Sequence, residues 1–191
     1  MMQVNLLWEG QEYHSLENCL LSISDTGTQV NSVIIGRFEN KIYRVEYLIR
    51  TNQNWETIFF EIKSYLDDKI NCLSFQSDGK GNWTTNGSPI AQFNGCIDLD
   101  ISLTPFTNTL PINRLKLSEN KKHLINVLYI DVLEQQTKPV RQNYTKLSEA
   151  EYKFENVPND FETEITVDKL GLVINYPGLF ERIAVRETNN H

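Results

Sequence analysis

The sequence predicts a mainly β fold, in which an antiparallel meander curls into a barrel-like or half-barrel sheet with few short helices. Three observations support this prediction. Apolar and polar residues alternate through most of the chain, turn motifs recur about every ten residues, and segments with helical periodicity are scarce. Because a long antiparallel sheet leaves unpaired edges, we expect the strands to curl or to pair their sheets.

The segment from Ile42 to Arg50 shows the alternation most clearly. Its apolar residues occupy every second position, and the positions between them are mostly charged, as in a half-buried strand. The same pattern recurs in three later segments. The predicted buried sets are Tyr43, Val45, Tyr47 and Ile49; Ile58, Phe60 and Ile62; Ile125, Val127 and Tyr129; and Phe161, Thr163, Ile165 and Val167.

Turn motifs separate the predicted strands. They are Asp25-Thr26-Gly27, Glu39-Asn40-Lys41, Asn52-Gln53-Asn54, Asp78-Gly79, Asn86-Gly87, Ser118-Glu119-Asn120 and Pro158-Asn159-Asp160. Short helical turns are predicted at residues 64–69 and 148–152, with a further one within 105–115.

Composition and charge bound the functional classes. A chain of 191 residues with 40% hydrophobic residues can form one sizeable core, so we expect a single domain over residues 1–191. The net charge of −7 and the lack of clustered basic residues oppose binding to nucleic acid or to an anionic membrane. No apolar run has the length of a membrane span, so stable membrane insertion is not expected.

The amino-terminal residues predict the cellular location, and the cysteines predict the redox state of the thiols. The amino-terminal sequence lacks a basic region followed by an apolar one, so we expect a cytoplasmic protein. The odd number of scattered cysteines, Cys19, Cys72 and Cys96, predicts reduced and buried thiols. The sequence indicates no cofactor, and it does not predict the oligomeric state.

Several motifs resemble known sites but lack their context. Asp25-Thr26-Gly27 matches an aspartic protease loop, yet no second copy is present. The two glycines after Asp78 lack the third glycine or the Gly-Lys-Thr of a phosphate-binding loop. The histidines His14, His123 and His191 are isolated from one another and from the cysteines, so no metal site is predicted.

Residues 95–115, GCIDLDISLTPFTNTLPINRL, have the most unusual composition. On a strand, Ile97, Leu99 and Ile101 would face one way and Asp98 and Asp100 the other. The two carboxylates could line a cavity that binds hydroxyl groups, or they could act as an acid/base pair. Alternatively, they accept hydrogen bonds from the following turn and pair with Arg114. A structural role is favoured over catalysis because a partner across the site is not evident.

The same segment resembles the signature of the putative glycolipid-binding family. The resemblance extends over almost the whole chain. Its other motifs are Trp8-Glu9-Gly10, Asp78-Gly79 with Gly81 and Trp83, Arg141-Gln142-Asn143-Tyr144, and Gly171-Leu172-Val173-Ile174-Asn175-Tyr176-Pro177-Gly178-Leu179-Phe180-Glu181-Arg182. This chain has Asn113 where a second arginine is expected beside Arg114, and Asn175 where an aspartate often precedes Tyr-Pro-Gly.

The resemblance implies a barrel-like β fold that holds a glycolipid or a related amphiphile. Such a ligand needs apolar and polar walls, and we expect an apolar base and a polar mouth. The polar wall would come from Asp98, Asp100, Asn108, Arg114 and Gln142, which could bind hydroxyls and a head group. Aromatic candidates for the acyl chain or a sugar ring are Trp55, Phe59, Trp83, Phe106, Tyr144 and Tyr176.

Three hypotheses therefore stand. The first is a non-catalytic binding protein for a small amphiphilic or hydrophobic molecule. The second is a hydrolase of glycosides or esters in which Asp98 and Asp100 form the acid/base pair and Arg114 tunes them. The third is a structural or interaction domain without a ligand. The first is favoured, and none identifies the ligand or the pathway.

Overall fold

The computed structural model describes residues 1–189, which form one curled sheet with a short helix. The strands are β1 (Met2–Gly10), β2 (Ser15–Ser24), β3 (Gly27–Phe38), β4 (Lys41–Thr51), β5 (Thr57–Leu66), β6 (Lys69–Ser77), β7 (Trp83–Thr85), β8 (Ser88–Pro89), β9 (Asp98–Ile101), β10 (Lys122–Asp131), β11 (Gln136–Lys146), β12 (Glu151–Val157), β13 (Glu162–Val167), β14 (Val173–Tyr176) and β15 (Phe180–Asn189). The helix α1 spans Thr109–Leu115, and 3-10 turns lie at Ala91–Phe93 and Phe106–Asn108.

Two meanders join side by side in this sheet. Strands β1–β8 form the first half of the fold, and β9–β15 with α1 form the second half. The spatial order is β8-β7-β6-β5-β4-β3-β2-β1-β15-β14-β13-β12-β11-β10-β9, so the first and last strands of the chain are neighbours. Neighbouring strands are antiparallel except β9 and β10, which are parallel. The predicted mainly β, curled fold is confirmed, although the sheet does not close into a barrel.

The two outer ends of the sheet approach each other without pairing as strands. The Gly95 amide donates to the Gly81 carbonyl at 3.0 Å, and the Trp83 indole donates to the Cys96 carbonyl at 2.6 Å. Gly81 has a φ of +83°, and a Cβ there would lie 2.9 Å from the Gly95 backbone. Glycine is therefore needed where the segments before β7 and β9 touch.

The sequence periodicity predicts the buried face of β4 correctly, whereas four members of the other predicted sets are only half-buried: Ile58, Tyr129, Phe161 and Thr163. Tyr43, Val45, Tyr47 and Ile49 are all buried on β4, and each predicted turn motif lies between strands or beside one. The predicted 3-10 or helical turn within 105–115 is confirmed. The helical turns predicted at 64–69 and 148–152 are wrong, because the first joins β5 to β6 across a tight turn and the second leads into β12.

The cysteine prediction is correct in part. All three are free thiols, and Cys19 and Cys96 are buried, but Cys72 is exposed. Cys72 lies on the exposed face of β6, whereas Leu73 and Phe75 on the other face are half-buried and pack against the core.

Apolar side chains form two separate cores. The first core lies inside β1–β7 and includes Trp8, Ile34 and Phe60. The second core lies against α1 and β10–β15 and includes Phe154 and Tyr176. Because β1 pairs with β15 through nine residue positions, the two halves share one continuous sheet.

Strands β9 and β10 lie between the two cores. On β9, Leu99 and Ile101 belong to the first core, whereas Asp98 and Asp100 contact residues of the second half, as the predicted alternation requires. On β10, Val127 belongs to the second core and Leu128 to the first. This pair of strands is therefore buried on both sides.

Asp98 attaches α1 to β9. Its two carboxylate oxygens accept bidentate hydrogen bonds from Arg114, at 3.0 Å from Nε and 2.6 Å from Nη2. The Asp98 side chain is fully buried and that of Arg114 is 15% exposed. Burial raises the pKa of Asp98, and the guanidinium opposes that shift. Removing either partner would leave the other charge buried and unpaired.

A second buried carboxyl, that of Glu17, lies in the first core. Its Oε1 accepts hydrogen bonds from the hydroxyls of Ser32 (2.7 Å), Tyr47 (2.6 Å) and Thr104 (3.0 Å). Its Oε2 has no hydrogen-bond partner among the described residues. Burial raises the pKa of Glu17 to about 7, although the three hydroxyls act in the opposite direction.

The Asp98→Asn variant should be strongly destabilised. Because Arg114 would lose its carboxylate while remaining largely buried, we expect a loss of about 3 kcal/mol in the free energy of unfolding. In a chain of this length, that corresponds to a midpoint lowered by about 6 to 12 °C in thermal unfolding. Asp68→Asn, in the exposed turn between β5 and β6, is the matched control and should change little. Equal midpoints for the two variants would contradict a stabilising ion pair.

Glu17 should make the protein less stable as the pH rises. Its pKa is higher in the folded than in the unfolded chain, so its stabilising protonated form is lost as the pH passes about 7. Between pH 6 and 8 we expect the wild type to lose about 1 kcal/mol relative to Glu17→Gln. Urea unfolding at pH 6, 7 and 8 measures this difference, and parallel pH profiles for the two proteins would contradict it.

Candidate functional site

A cavity of about 490 Å³ opens in the second half of the fold. Strands β9–β12 form its floor and one side, and the loop after β12, the β14–β15 turn and the β1–β2 turn form the rest. It contains buried polar groups, aromatic rings and exposed charges together. This combination is typical of ligand-binding cavities, which are mainly apolar with a few placed polar groups.

Asp100 is a half-buried acidic residue of the cavity lining. Its Oδ2 accepts a hydrogen bond from Gln142 Nε2 at 2.6 Å, and Thr107 also hydrogen-bonds the carboxylate. Burial raises the pKa of Asp100 to about 6, and these two hydrogen bonds oppose the shift. In contrast to Asp98, Asp100 has no Lys or Arg within ion-pair distance among residues 1–189. At neutral pH it therefore places a negative charge without a counterion at the cavity wall.

Three other buried polar residues line the cavity near Asp100. Gln142 is 2% exposed and Asn108 is 7% exposed. The Asn108 Oδ1 accepts a hydrogen bond from the Tyr144 hydroxyl at 2.8 Å, which fixes the orientation of its amide. Thr104 also lines the cavity and donates its hydroxyl proton to Glu17, so the cavity wall contacts the buried carboxyl of the first core.

Aromatic rings form the opposite wall. Phe154, Phe161 and Tyr176 lie with their ring centroids 6.1 to 6.3 Å from one another. Phe180 extends this group, at 6.1 Å from Tyr176. These rings offer a continuous apolar surface on which an alkyl chain can pack or a ring can stack.

Charged residues surround the opening. Glu12, Lys138, Arg141 and Asp160 line the cavity and are exposed. Lys138 Nζ lies 5.8 Å from the centre of the Tyr129 ring. The expectation of an apolar base and a polar mouth is thus correct only for the mouth, because the buried lining combines the aromatic rings with Asp100, Gln142 and Asn108.

The structure brings together four of the eight predicted ligand-binding residues. Asp100, Asn108, Gln142 and Tyr176 line the cavity. The other four, Asp98, Arg114, Tyr144 and Trp83, do not: Asp98 and Arg114 bind each other, Tyr144 lies behind Asn108, and Trp83 is buried in the first core.

Other sequence candidates lie away from the cavity. Of the further aromatic candidates, Trp55 and Phe106 belong to the first core, and Phe59 packs under Arg50. Asn113 donates hydrogen bonds to the carbonyls of Thr109 and Leu170, so it joins α1 to the loop before β14. Asn175 is exposed on β14. Neither departure from the family pattern alters the cavity lining.

The sequence did not single out several lining residues. Phe154 and Phe161 contribute the aromatic wall, and Tyr13 and Tyr129 contribute hydroxyls near Asp100. Burial raises the pKa of Tyr13 and Tyr129, and the nearby acidic groups, including Asp100, add to the shift. Both phenols therefore remain neutral hydrogen-bonding groups. Tyr129 lies on a strand with ordinary alternation and Tyr13 lies in the β1–β2 turn, so neither gave a signal of a site.

A second hollow, of about 460 Å³, lies on the outer face of β2–β5. Leu20, Val33 and Leu48 line it together with charged residues such as Glu61 and Lys63. It lacks the aromatic wall of the first cavity, since Tyr47 is the one aromatic residue among the described residues that line it. We therefore take the first cavity as the candidate site and use the outer hollow as a comparison.

Metal and membrane features follow from the same residues. Within residues 1–189, no cluster of three or more His, Cys, Asp or Glu side chains is placed to hold a metal ion, and no helix is long and apolar enough to cross a membrane. His14 is exposed in the β1–β2 turn and His123 is half-buried on β10, whereas His191 lies outside the described residues.

Comparison with known proteins places the fold in a family. A crystal structure of a DUF1089 family protein from Pseudomonas aeruginosa, at 1.80 Å resolution, superposes with a TM-score of 0.81 and 33% sequence identity, over 87% of this chain and 92% of that one. The comparison with curated proteins gives no match. The model of the family described as "Putative glycolipid-binding" matches residues 5–182, and the chain belongs to that family.

Proposed function

We propose that this chain is a non-catalytic binding protein that holds a small amphiphilic or hydrophobic molecule, such as a glycolipid, in the cavity of the second half. The observation that supports this most is the joint presence in one cavity of a half-buried carboxylate without a paired cation and a wall of aromatic rings. The volume of about 490 Å³ is in the range of known ligand pockets, which is roughly 300 to 1,000 Å³. The description of the family agrees with such a role.

The carboxylate pair gives less support to a hydrolase. An acid/base pair needs two carboxyl groups that face the same substrate. Asp100 lines the cavity, but Asp98 is fully buried and both of its oxygens bind Arg114. An enzyme that used both groups would first have to break this ion pair.

The proposal concerns a small molecule as the partner. A net charge of −7 gives little attraction to nucleic acid or to an anionic bilayer. The cytoplasmic location expected from the amino-terminal sequence stays a prediction, which fractionation of the host cell would test.

Native mass spectrometry of protein purified from its own host should reveal a bound small molecule. We expect a species heavier than the protein alone, which reverts to the protein mass after mild denaturation. Extraction with organic solvent then identifies the released compound. A single species at the mass of the bare protein, at several purification strengths, would favour an interaction domain without a ligand.

Filling the cavity should abolish binding without unfolding the protein. Val140 lies half-buried in the cavity lining on β11, and the indole of Val140→Trp would occupy the space of a ligand. With N-phenyl-1-naphthylamine, a neutral fluorescent probe, we expect at least about a tenfold weaker affinity than for the wild type, which is about 1.4 kcal/mol. Fluorescence titration measures the affinity, and circular dichroism verifies the fold.

The matched control is Val33→Trp. Val33 is also half-buried on a strand, but it lines the outer hollow. This variant should bind the probe as the wild type does. If Val33→Trp blocked binding and Val140→Trp did not, the outer hollow would be the binding site and the proposal would fail.

A further inference from the structure

Asp100 is half-buried, and it differs from the buried carboxylate of Asp98 on the same strand in having no cation beside it within residues 1–189. Asp98, two residues earlier, binds the guanidinium of Arg114 through both oxygens. Asp100 is hydrogen-bonded by neutral groups, and Gln142 is its closest donor at 2.6 Å. Arg114 binds Asp98 and does not line the cavity, so Asp100 presents its negative charge to the cavity without a paired cation.

The cations near the opening cannot replace that missing partner. Lys138 and Arg141 line the cavity, but both are exposed, and the amine of Lys138 lies against the Tyr129 ring. Exposed charges are strongly screened by water and salt, whereas a charge on a partly buried wall acts through a lower dielectric. The exposed acids Glu12 and Asp160 also line the opening and offset the two cations.

The neighbours of Asp100 leave it short of hydrogen-bond donors. An ionised carboxylate has about four acceptor positions. Gln142 and Thr107 provide donors for two of them. A ligand group that carries O–H or N–H donors would therefore gain hydrogen bonds to a charged acceptor, which are stronger than those between neutral groups. A group that carries a negative charge would meet repulsion instead.

We propose that Asp100 makes the cavity selective for amphiphiles whose polar group donates hydrogen bonds and bears no negative charge, and that it excludes anionic amphiphiles of the same size. This inference rests on the proposed function, since it assigns the chemical class of the ligand to that same cavity. The polar group contacts Asp100 and Gln142, and the apolar part packs on Phe154, Phe161 and Tyr176. A polyhydroxyl group and an amine share the required chemistry.

Three probes with one tail and different head groups test the selectivity. They are octyl glucoside, octylammonium and octyl sulfate, each used below its micelle concentration and titrated calorimetrically at pH 8 and constant ionic strength. We expect the wild type to bind octyl glucoside, octylammonium or both at least about tenfold more tightly than octyl sulfate. The comparison of the first two shows whether the donor group is a neutral polyol or a cation.

Asp100→Asn should change the order of the binding affinities of the three probes. The amide keeps the size of the side chain but removes its charge, so octyl sulfate should bind at least about tenfold more tightly than to the wild type, and octylammonium more weakly. Asp68→Asn is the matched control, because it removes the same charge in the exposed turn between β5 and β6, and Asp68 does not line the cavity. This control should leave the order unchanged.

The outcomes separate this inference from the proposed function. If octyl sulfate binds the wild type as tightly as the other probes, and Val140→Trp blocks all three, the selectivity is wrong and the binding function stands. If no probe binds to the wild type or to Val140→Trp, both the selectivity and the proposed binding function are wrong. The order of the probes on the wild type decides the inference even if Asp100→Asn fails to fold.

Discussion

The parallel strand β9 imposes the constraint on which the rest of the structure depends. It is buried on both sides, so its alternation must satisfy two environments at once. Leu99 and Ile101 complete the first core, and Asp98 and Asp100 face the second half. A shift of one residue in its register would place two carboxylates in an apolar core and two aliphatic side chains against Arg114 and Gln142. The ion pair between Asp98 and Arg114 favours this register, because a shift of one residue would turn Asp98 away from Arg114.

The same segment explains why the cavity lies in one half of the fold. Beyond β9 the chain enters the space between the two halves, where Leu103, Phe106 and Leu110 fill the first core. The interior of the curled sheet of β1–β7 is thus filled in part by a later segment of the chain. The second half receives Ile112 and Leu115 from α1 and Leu117 after it, but none of these side chains lines the cavity. Space therefore remains beside Asp100, between β11, β12 and the β14–β15 turn.

The sequence predicts the strands well because each requires only local information. A strand with one buried face shows a period of two, and β4 does so with Tyr43, Val45, Tyr47 and Ile49. The pairing of β1 with β15 and the position of Trp83 in the first core depend on contacts across the whole chain, which alternation does not encode. The burial of Glu17 follows the same alternation but was not predicted. Glu17 lies on the inner face of β2 between Ser15 and Cys19, which are both buried. Four predicted site residues do not line the cavity, for a different reason. A sequence motif shows which residues are close along the chain, but it does not show which side chains face a cavity.

Two carboxyl groups of this fold with raised pKa values differ in a way that bears on function. Glu17 and Asp100 both have a pKa raised by burial, so each makes the folded state less stable at neutral pH than a neutral side chain of the same shape would. Glu17 is buried in the first core, where three hydroxyls hydrogen-bond its Oε1, and it does not line the cavity. Asp100 is different, because an asparagine could also accept the hydrogen bond from Gln142 without the unfavourable burial of a charge. The described contacts of Asp100 therefore do not require a carboxylate. A group that enters the cavity and donates to Asp100 would supply the missing compensation, which makes the charge a feature of ligand binding rather than of folding.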